Sequence, residues 1–150
     1  ILGPSDAGKT TLVEGLTERL SQRGPVGTIK HLDCEPDLDT EGKDTARHRM
    51  AGARATYGVT DGGAWFATGA NCTLSGALGR LAETCEYALV EGYSGSDLAL
   101  PAIVLGGDPE PEDGPTLAAA ATADDLDLHA VVAAIEGVEP IRPADPNRRS

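Results

Sequence analysis

The run Gly3-Pro4-Ser5-Asp6-Ala7-Gly8-Lys9-Thr10 constrains the fold more than any other part of this chain. Its spacing is G-x-x-x-x-G-K-T. The two apolar residues before it have strand character, and the stretch from Thr11 to Leu16 after it has helical character. A strand, a glycine-rich loop and a helix in this order form the context of a phosphate-binding loop, or P-loop. The alternative is a glycine turn before an ordinary helix.

The chemistry of phosphate binding explains this spacing. Gly3 and Gly8 allow the backbone to curl so that successive N–H groups point at phosphate oxygens, and the following helix adds its N-terminal N–H groups. Lys9 supplies a charge to the β- and γ-phosphates, and Thr10 offers a hydroxyl to Mg²⁺. The predicted nucleotide-binding residues are Gly3, Pro4, Ser5, Asp6, Ala7, Gly8, Lys9, Thr10 and Thr11.

Apolar residues recur along the chain with alternating helix and strand periods. They predict helices over 8–23, 43–51 and 74–85, and a last helix capped by Asp124. They predict strands over 25–30, 54–59, 64–68, 87–92, 102–105 and 117–121. This alternation predicts an α/β fold with a doubly wound, mostly parallel sheet of the P-loop NTPase type. The turn Asp61-Gly62-Gly63 predicts a β-hairpin insertion.

The domain organisation follows from these elements. We expect residues 1–139 to form one nucleotide-binding domain, whose first strand is truncated at the N-terminus. Residues 140–150 are rich in Pro and Arg and are expected to be a polar tail or linker.

Glu91 ends a buried strand, Tyr87-Ala88-Leu89-Val90, and is followed by Gly92. In a P-loop protein an acid at such a strand end reaches Mg²⁺ or orients the attacking water. The alternative is a glutamate that faces solvent. We therefore predict Lys9 and Glu91 as catalytic residues, and Thr10 and Glu91 as the residues that hold Mg²⁺.

An acidic segment follows the second strand, which ends at Lys30-His31. One hypothesis is a switch-like loop that senses the γ-phosphate, with Lys30 or Lys43 adding positive charge. Another is a transition-metal site formed by His31, Cys34 and Asp37. A third is a solvated acidic loop, which is the usual interpretation of a run of charges.

The charge balance restricts the partners of this chain. It carries 24 acidic and 12 basic residues and a net charge of −12, which argues against nucleic acid or an anionic membrane as a partner. This lysine-poor composition resembles that of proteins from salt-loving organisms. The three cysteines form no C-x-x-C pair, and no segment is long and apolar enough to cross a membrane. We expect a cytoplasmic protein.

Several segments together resemble one known family. They are Gly3 to Thr10, Gly27-Thr28-Ile29-Lys30-His31, Asp39 to His48, Ala51-Gly52-Ala53 and Leu89-Val90-Glu91-Gly92-Tyr93. Their order and spacing resemble the molybdopterin-guanine dinucleotide biosynthesis protein B (MobB) family over nearly the whole chain up to the tail. The combination is far more specific than any one of its motifs.

The resemblance implies a GTP-binding accessory protein of molybdenum cofactor biosynthesis that is mainly an adapter with weak GTPase activity. Such a protein is usually a homodimer. It assists a MobA-like guanylyltransferase that attaches GMP to molybdopterin. GTP and Mg²⁺ are the implied cofactors, and molybdopterin is a further implied ligand. The implied switch or cofactor surface comprises Lys30, His31, Asp37, Asp39, Gly42, Lys43, Asp44 and Arg47.

The chain departs from the family pattern at a few positions. Asp33 and Cys34 stand where the family has further histidines after Lys-His, and Ser94 stands where it has a lysine. The sequence contains no Asn-Lys-x-Asp guanine motif. The alternative functions are a P-loop small-molecule kinase or ligase, and a nucleotide-gated protein that delivers a metal through His31 and Cys34.

Overall fold

A computed structural model describes residues 1–32, 44–59, 61–62, 65–69, 73–94, 98–107 and 114–140. The chain divides into two compact units, Ile1–His31 with Gly79–Ser150, and Leu32–Leu78. The helices of the described residues are α1 (Lys9–Leu20), α2 (Asp44–Met50), α3 (Leu74–Leu81) and α4 (Leu128–Glu136). The strands are β1 (Val26–Lys30), β2 (Ala55–Val59), β3 (Trp65–Gly69), β4 (Tyr87–Glu91), β5 (Ala102–Leu105) and β6 (Thr116–Ala120).

The first unit contains two pairs of parallel strands, and the N-terminal residues lie between the two pairs. β1 pairs with β4, and β5 pairs with β6, both in parallel. Ile1 lies beside β4, where its nitrogen donates to the Val90 carbonyl at 2.6 Å and its carbonyl accepts from Gly92 at 3.0 Å. Leu2 lies beside β5, where it exchanges hydrogen bonds of 2.8 and 2.9 Å. The order is therefore β1, β4, Ile1–Leu2, β5, β6.

The core of this unit lies between these strands and two helices. α1 contacts β1, β4 and α4, and α4 contacts β6. Helical spacing places Leu12, Leu16 and Leu20 on the buried side of α1, each with at most 1% of its surface exposed. Burying a leucine side chain stabilises a fold by about 1.5–3 kcal/mol, so this stripe fixes the helix that follows the glycine loop. The predicted α/β class is confirmed.

The second unit contains the antiparallel pair β2 and β3, and α2 contacts β2. Their register pairs Val59 with Trp65 next to the turn and Ala55 with Gly69 at the far end. The predicted β-hairpin is confirmed. None of the helices within the described ranges is long and apolar enough to cross a membrane.

Three helix boundaries differ from the prediction. α3 ends at Leu81 and not at Cys85, because the N–H groups of Thr84 and Cys85 both donate to the Leu81 carbonyl in a turn. α1 ends at Leu20, because the backbone turns there and the N–H groups of Arg23 and Gly24 both donate to the Leu20 carbonyl. The predicted cap Asp124 is wrong, since it lies in a 3₁₀ turn, Ala123–Asp125, and Asp127 caps α4 instead. The predicted tail lies outside the described residues apart from Pro140.

Candidate nucleotide-binding site

The glycine loop joins the end of the Ile1–Leu2 strand segment to α1, as its sequence pattern predicts. Gly8 caps the helix with φ 83°, and Asp6 has φ 68°. A Cβ atom at Gly8 would lie 2.8 Å from the Cβ of Ala123, and one at Gly3 would lie 2.8 Å from the Leu105 carbonyl oxygen. Both glycines are therefore required by close approach, and Gly8 also by its left-handed backbone.

The loop is supported by the segments that follow β5 and β6. The Ala123 N–H donates to the Ala7 carbonyl at 3.1 Å. Gly106, at φ 73°, lies against Pro4, and a Cβ there would come within 2.7 Å of the proline Cδ. The sequence analysis identified neither the contact of Gly106 with Pro4 nor the support of the loop by Ala123. The glycine pair at the end of β5 was the available signal.

Lys9 folds back over the loop. Its Nζ donates to the carbonyl oxygens of Gly3 at 2.8 Å and Pro4 at 2.6 Å. The ammonium is thereby held at the loop by neutral acceptors. A phosphate oxygen carries a full charge and would be a stronger acceptor for it.

Glu91, at the carboxyl end of β4, makes polar contacts with one residue of α1 and one residue of β1. The Thr10 hydroxyl is 3.2 Å from both carboxylate oxygens of Glu91, and the Lys30 Nζ is 3.2 Å from Oε1. The β1–β4 register pairs Lys30 with Glu91 directly. The Glu91 side chain is 11% exposed and that of Lys30 is 57% exposed. The structure thus brings together three of the predicted site residues.

These oxygen groups fit a magnesium ion. Mg²⁺ is held in proteins by carboxylates and waters together with the phosphates of a substrate, and a threonine hydroxyl at the start of the P-loop helix completes such sets. Thr10 and Glu91 are the residues that would hold it. Within the described residues no group of three His, Cys, Asp or Glu side chains is arranged to hold a metal alone.

His31 and Tyr93 lie next to Glu91 at the ends of β1 and β4. The His31 N–H donates to the Glu91 carbonyl at 2.9 Å, and the two rings contact with centroids 4.4 Å apart. Gly92 has φ 86°, and a Cβ there would lie 2.9 Å from that of His31. Tyr93 itself has φ 66°, a backbone conformation that costs energy for a residue with a large side chain. Such strain is typical of functional sites.

The remaining predicted residues lie either outside the described residues or in the second unit. Asp37, Asp39, Gly42 and Lys43 lie outside the described residues, as does Cys34. Asp44 and Arg47 belong to α2 of the second unit, where they are exposed and form an ion pair of 3.6 Å with one another. Their proposed role on a switch surface stays a prediction.

Comparison with known proteins identifies relatives whose names concern molybdopterin. A Haloferax volcanii protein named a probable molybdopterin synthase is 33% identical over 140 residues, which are 93% of this chain and 48% of that protein. A Methanocaldococcus jannaschii protein named as a candidate molybdopterin-guanine dinucleotide biosynthesis adapter is 31% identical over 108 residues, or 70% of this chain and 45% of that protein. The chain thus spans less than half the length of either relative.

The fold also has a solved counterpart. The crystal structure of Bacillus subtilis MobB matches with a TM-score of 0.53 at 24% identity, and the match covers 91% of this chain and 94% of that one. At this identity the likeness concerns the fold. The family model for molybdopterin guanine dinucleotide synthesis protein B matches residues 1–132. Because that match spans most of the sequence, this chain belongs to the MobB family.

Proposed function

We propose that this chain is a GTP-binding adapter of molybdopterin guanine dinucleotide synthesis that binds Mg²⁺ and GTP at the glycine loop. The observation that carries the proposal is the approach of the Thr10 hydroxyl to the Glu91 carboxylate, 3.2 Å to each oxygen, beside that loop. A P-loop threonine facing a strand-end acid is the arrangement that holds magnesium on a triphosphate. Family membership supports the pathway.

In this proposal some residues of the site bind the phosphates and others bind the metal ion. The backbone of Gly3 to Gly8 and the start of α1 provide N–H donors to the β-phosphate, and the ammonium of Lys9 moves from its two carbonyl acceptors to phosphate oxygens. Thr10 and Glu91 hold Mg²⁺, which supplies positive charge where negative charge develops on the phosphates. The preference for guanine rests on the family alone.

The proposed role of Glu91 favours slow hydrolysis. A carboxylate that holds Mg²⁺ together with Thr10 is a poor general base for an attacking water. In this proposal Glu91 acts on the metal side, and GTP turnover is weak. The nucleotide state then serves to present a surface to a partner. That partner is a MobA-like guanylyltransferase, the chain is a cytoplasmic homodimer, and molybdopterin is a further ligand.

The test is nucleotide binding by the full chain and by Lys9→Ala. We expect a fluorescent GTP analogue to bind in the presence of Mg²⁺, GTP to displace it better than ATP, and Lys9→Ala to lose binding. Arg19→Ala is the matched control, because Arg19 is an exposed cation on the same helix whose NH1 donates to the Gly15 carbonyl. Unchanged nucleotide affinity in Lys9→Ala contradicts the proposal.

The alternative functions predict different results for the same purified chain. A small-molecule kinase or ligase predicts turnover that rises sharply with its substrate. A metal-delivery protein predicts stoichiometric binding of a transition metal that Cys34→Ser abolishes. The adapter predicts slow basal GTP hydrolysis and faster guanylyl transfer when it is added to the partner enzyme.

A further inference from the structure

The cation beside Glu91 is a lysine that is distant from the glycine loop in sequence. Lys30 ends β1, and its Nζ lies 3.2 Å from Oε1 of Glu91, the same carboxylate that accepts from Thr10. We infer that Lys30 is an internal competitor of the divalent cation, holding Glu91 in the metal-free protein and releasing it when metal binds with nucleotide. The inference rests on the proposed function, because it assumes a metal site at Thr10 and Glu91.

The two side chains are buried to different extents, and this allows a metal ion to replace Lys30 at Glu91. Glu91 is 11% exposed and is fixed at the end of β4, whereas Lys30 is 57% exposed on a long flexible stem. A nearly buried carboxylate needs a positive partner to offset its lost hydration. Lys30 can meet that need and can also swing into solvent or toward an anion, while Glu91 stays in place.

Two other cationic groups nearby donate to backbone carbonyls. The Lys9 Nζ donates to the carbonyls of Gly3 and Pro4, and the Ile1 ammonium, which also feels the charge of Glu91, donates to the Val90 carbonyl at 2.6 Å. The ion pair that the structure describes for Glu91 is with Lys30. The ammonium of Lys30 therefore contacts a carboxylate oxygen that a metal ion would need.

Electrostatic repulsion makes the two cations compete for this carboxylate. Mg²⁺ binds carboxylate oxygens at about 2.0–2.1 Å. With the ammonium 3.2 Å from the same oxygen, a divalent and a monovalent cation would lie within about 5 Å of each other and repel. A bound triphosphate removes this penalty, because its oxygens offer the displaced ammonium a second anion. Lys30 thereby makes metal binding depend on the nucleotide.

The test is a Mn²⁺ titration of the nucleotide-free chain, followed by the EPR signal of free Mn²⁺. No phosphate is present for Lys30 to contact, so the measurement isolates its competition for Glu91. Removing a partly exposed ion pair predicts that Lys30→Gln binds Mn²⁺ about threefold to fivefold more tightly than the unaltered chain. Lys30→Arg keeps the charge, and its Mn²⁺ affinity should stay within about twofold of the original.

A second measurement tests the dependence on nucleotide. Adding a non-hydrolysable GTP analogue should raise the Mn²⁺ affinity of the unaltered chain, and this gain should be several-fold smaller in Lys30→Gln. An unchanged gain overturns the inference. A purely structural role of Lys30 predicts a lower urea midpoint with no change in Mn²⁺ affinity, which also overturns it.

Glu91→Gln separates this inference from the proposed function. If Mn²⁺ binding is lost in Glu91→Gln but is equal in Lys30→Gln and the unaltered chain, the metal site stands and the competitor role fails. If Mn²⁺ binding does not depend on Glu91 at all, the metal site fails and the competitor role fails with it.

Discussion

The Thr10 hydroxyl lies 3.2 Å from each carboxylate oxygen of Glu91, although 81 residues separate the two in the chain. Thr10 opens the helix after the glycine loop, and Glu91 ends β4 next to the strand segment that leads into the loop. The parallel sheet is what brings them together, since it puts the ends of both segments at one edge. One hydroxyl and one carboxylate at this distance are the two protein ligands that the proposed magnesium site requires.

Thr10→Ala should remove the effect of Mg²⁺ on GTP binding. The substitution deletes the hydroxyl and leaves one protein ligand for the metal, so affinity measured with Mg²⁺ should fall by about tenfold or more, to the level measured with EDTA. Thr10→Ser keeps the hydroxyl and is the matched control. If Thr10→Ala keeps the same ratio of affinities with Mg²⁺ and with EDTA, Thr10 does not hold the metal.

The local part of this site could be predicted from the sequence. The spacing from Gly3 to Thr10 is set by the geometry of one short loop, and an acid at the end of an apolar strand is a local pattern too. The α/β class was predicted because apolar residues recur with the helical period in some segments and with the strand pattern in others. Each pattern depends only on residues that are close in sequence. The hairpin of β2 and β3 was predicted for the same reason.

The parts that could not be predicted depend on strand order and close approach. Lys30 was assigned to a switch surface and not to Glu91, because their pairing requires that β1 lie beside β4, which no local pattern specifies. The contact of Gly106 with Pro4 likewise joins two segments that are far apart in the sequence, so no local pattern predicts it. The cap of α4 was assigned to Asp124 instead of Asp127, because both aspartates offer the same local signal.

The adjacent glycines after β5 provide a test of how the loop is supported. Gly106 and Gly107 have φ 73° and 70°, but a Cβ at Gly106 would lie 2.7 Å from Pro4 Cδ, whereas one at Gly107 would have no atom of the described residues within 4 Å. Alanine in the left-handed region costs about 1–2 kcal/mol at either position. Only Gly106→Ala should displace the loop as well, and we expect it to weaken GTP binding several-fold.

Gly107→Ala is the control for that experiment, because it introduces the same backbone strain without the contact. Urea unfolding measures the shared loss of stability, and a GTP titration measures the difference between the variants. Equal nucleotide affinity in both variants would show that Pro4 does not need the support of Gly106.

Asp127 should stabilise the chain without affecting the nucleotide site. Its carboxylate accepts from the N–H groups of His129 at 2.9 Å and Ala130 at 3.4 Å at the start of α4. Replacing such a cap by alanine costs about 1 kcal/mol, so Asp127→Ala should lower the free energy of unfolding by that amount in urea. Asp127→Asn can still accept these bonds and should stay close to the original stability. A loss as large in Asp127→Asn would assign the effect to charge instead of capping.

Stability should rise with salt concentration, because the net charge of −12 makes the folded chain repel itself. Raising the ionic strength from 0.15 to 1 M shortens the screening length from about 8 to about 3 Å. We expect the thermal midpoint in KCl to increase over this range. A variant with three exposed acids neutralised, Asp61→Asn, Glu83→Gln and Asp124→Asn, should be less sensitive to KCl. An equal midpoint at all concentrations, or an equal salt response in the variant, would show that self-repulsion does not limit the stability of this fold.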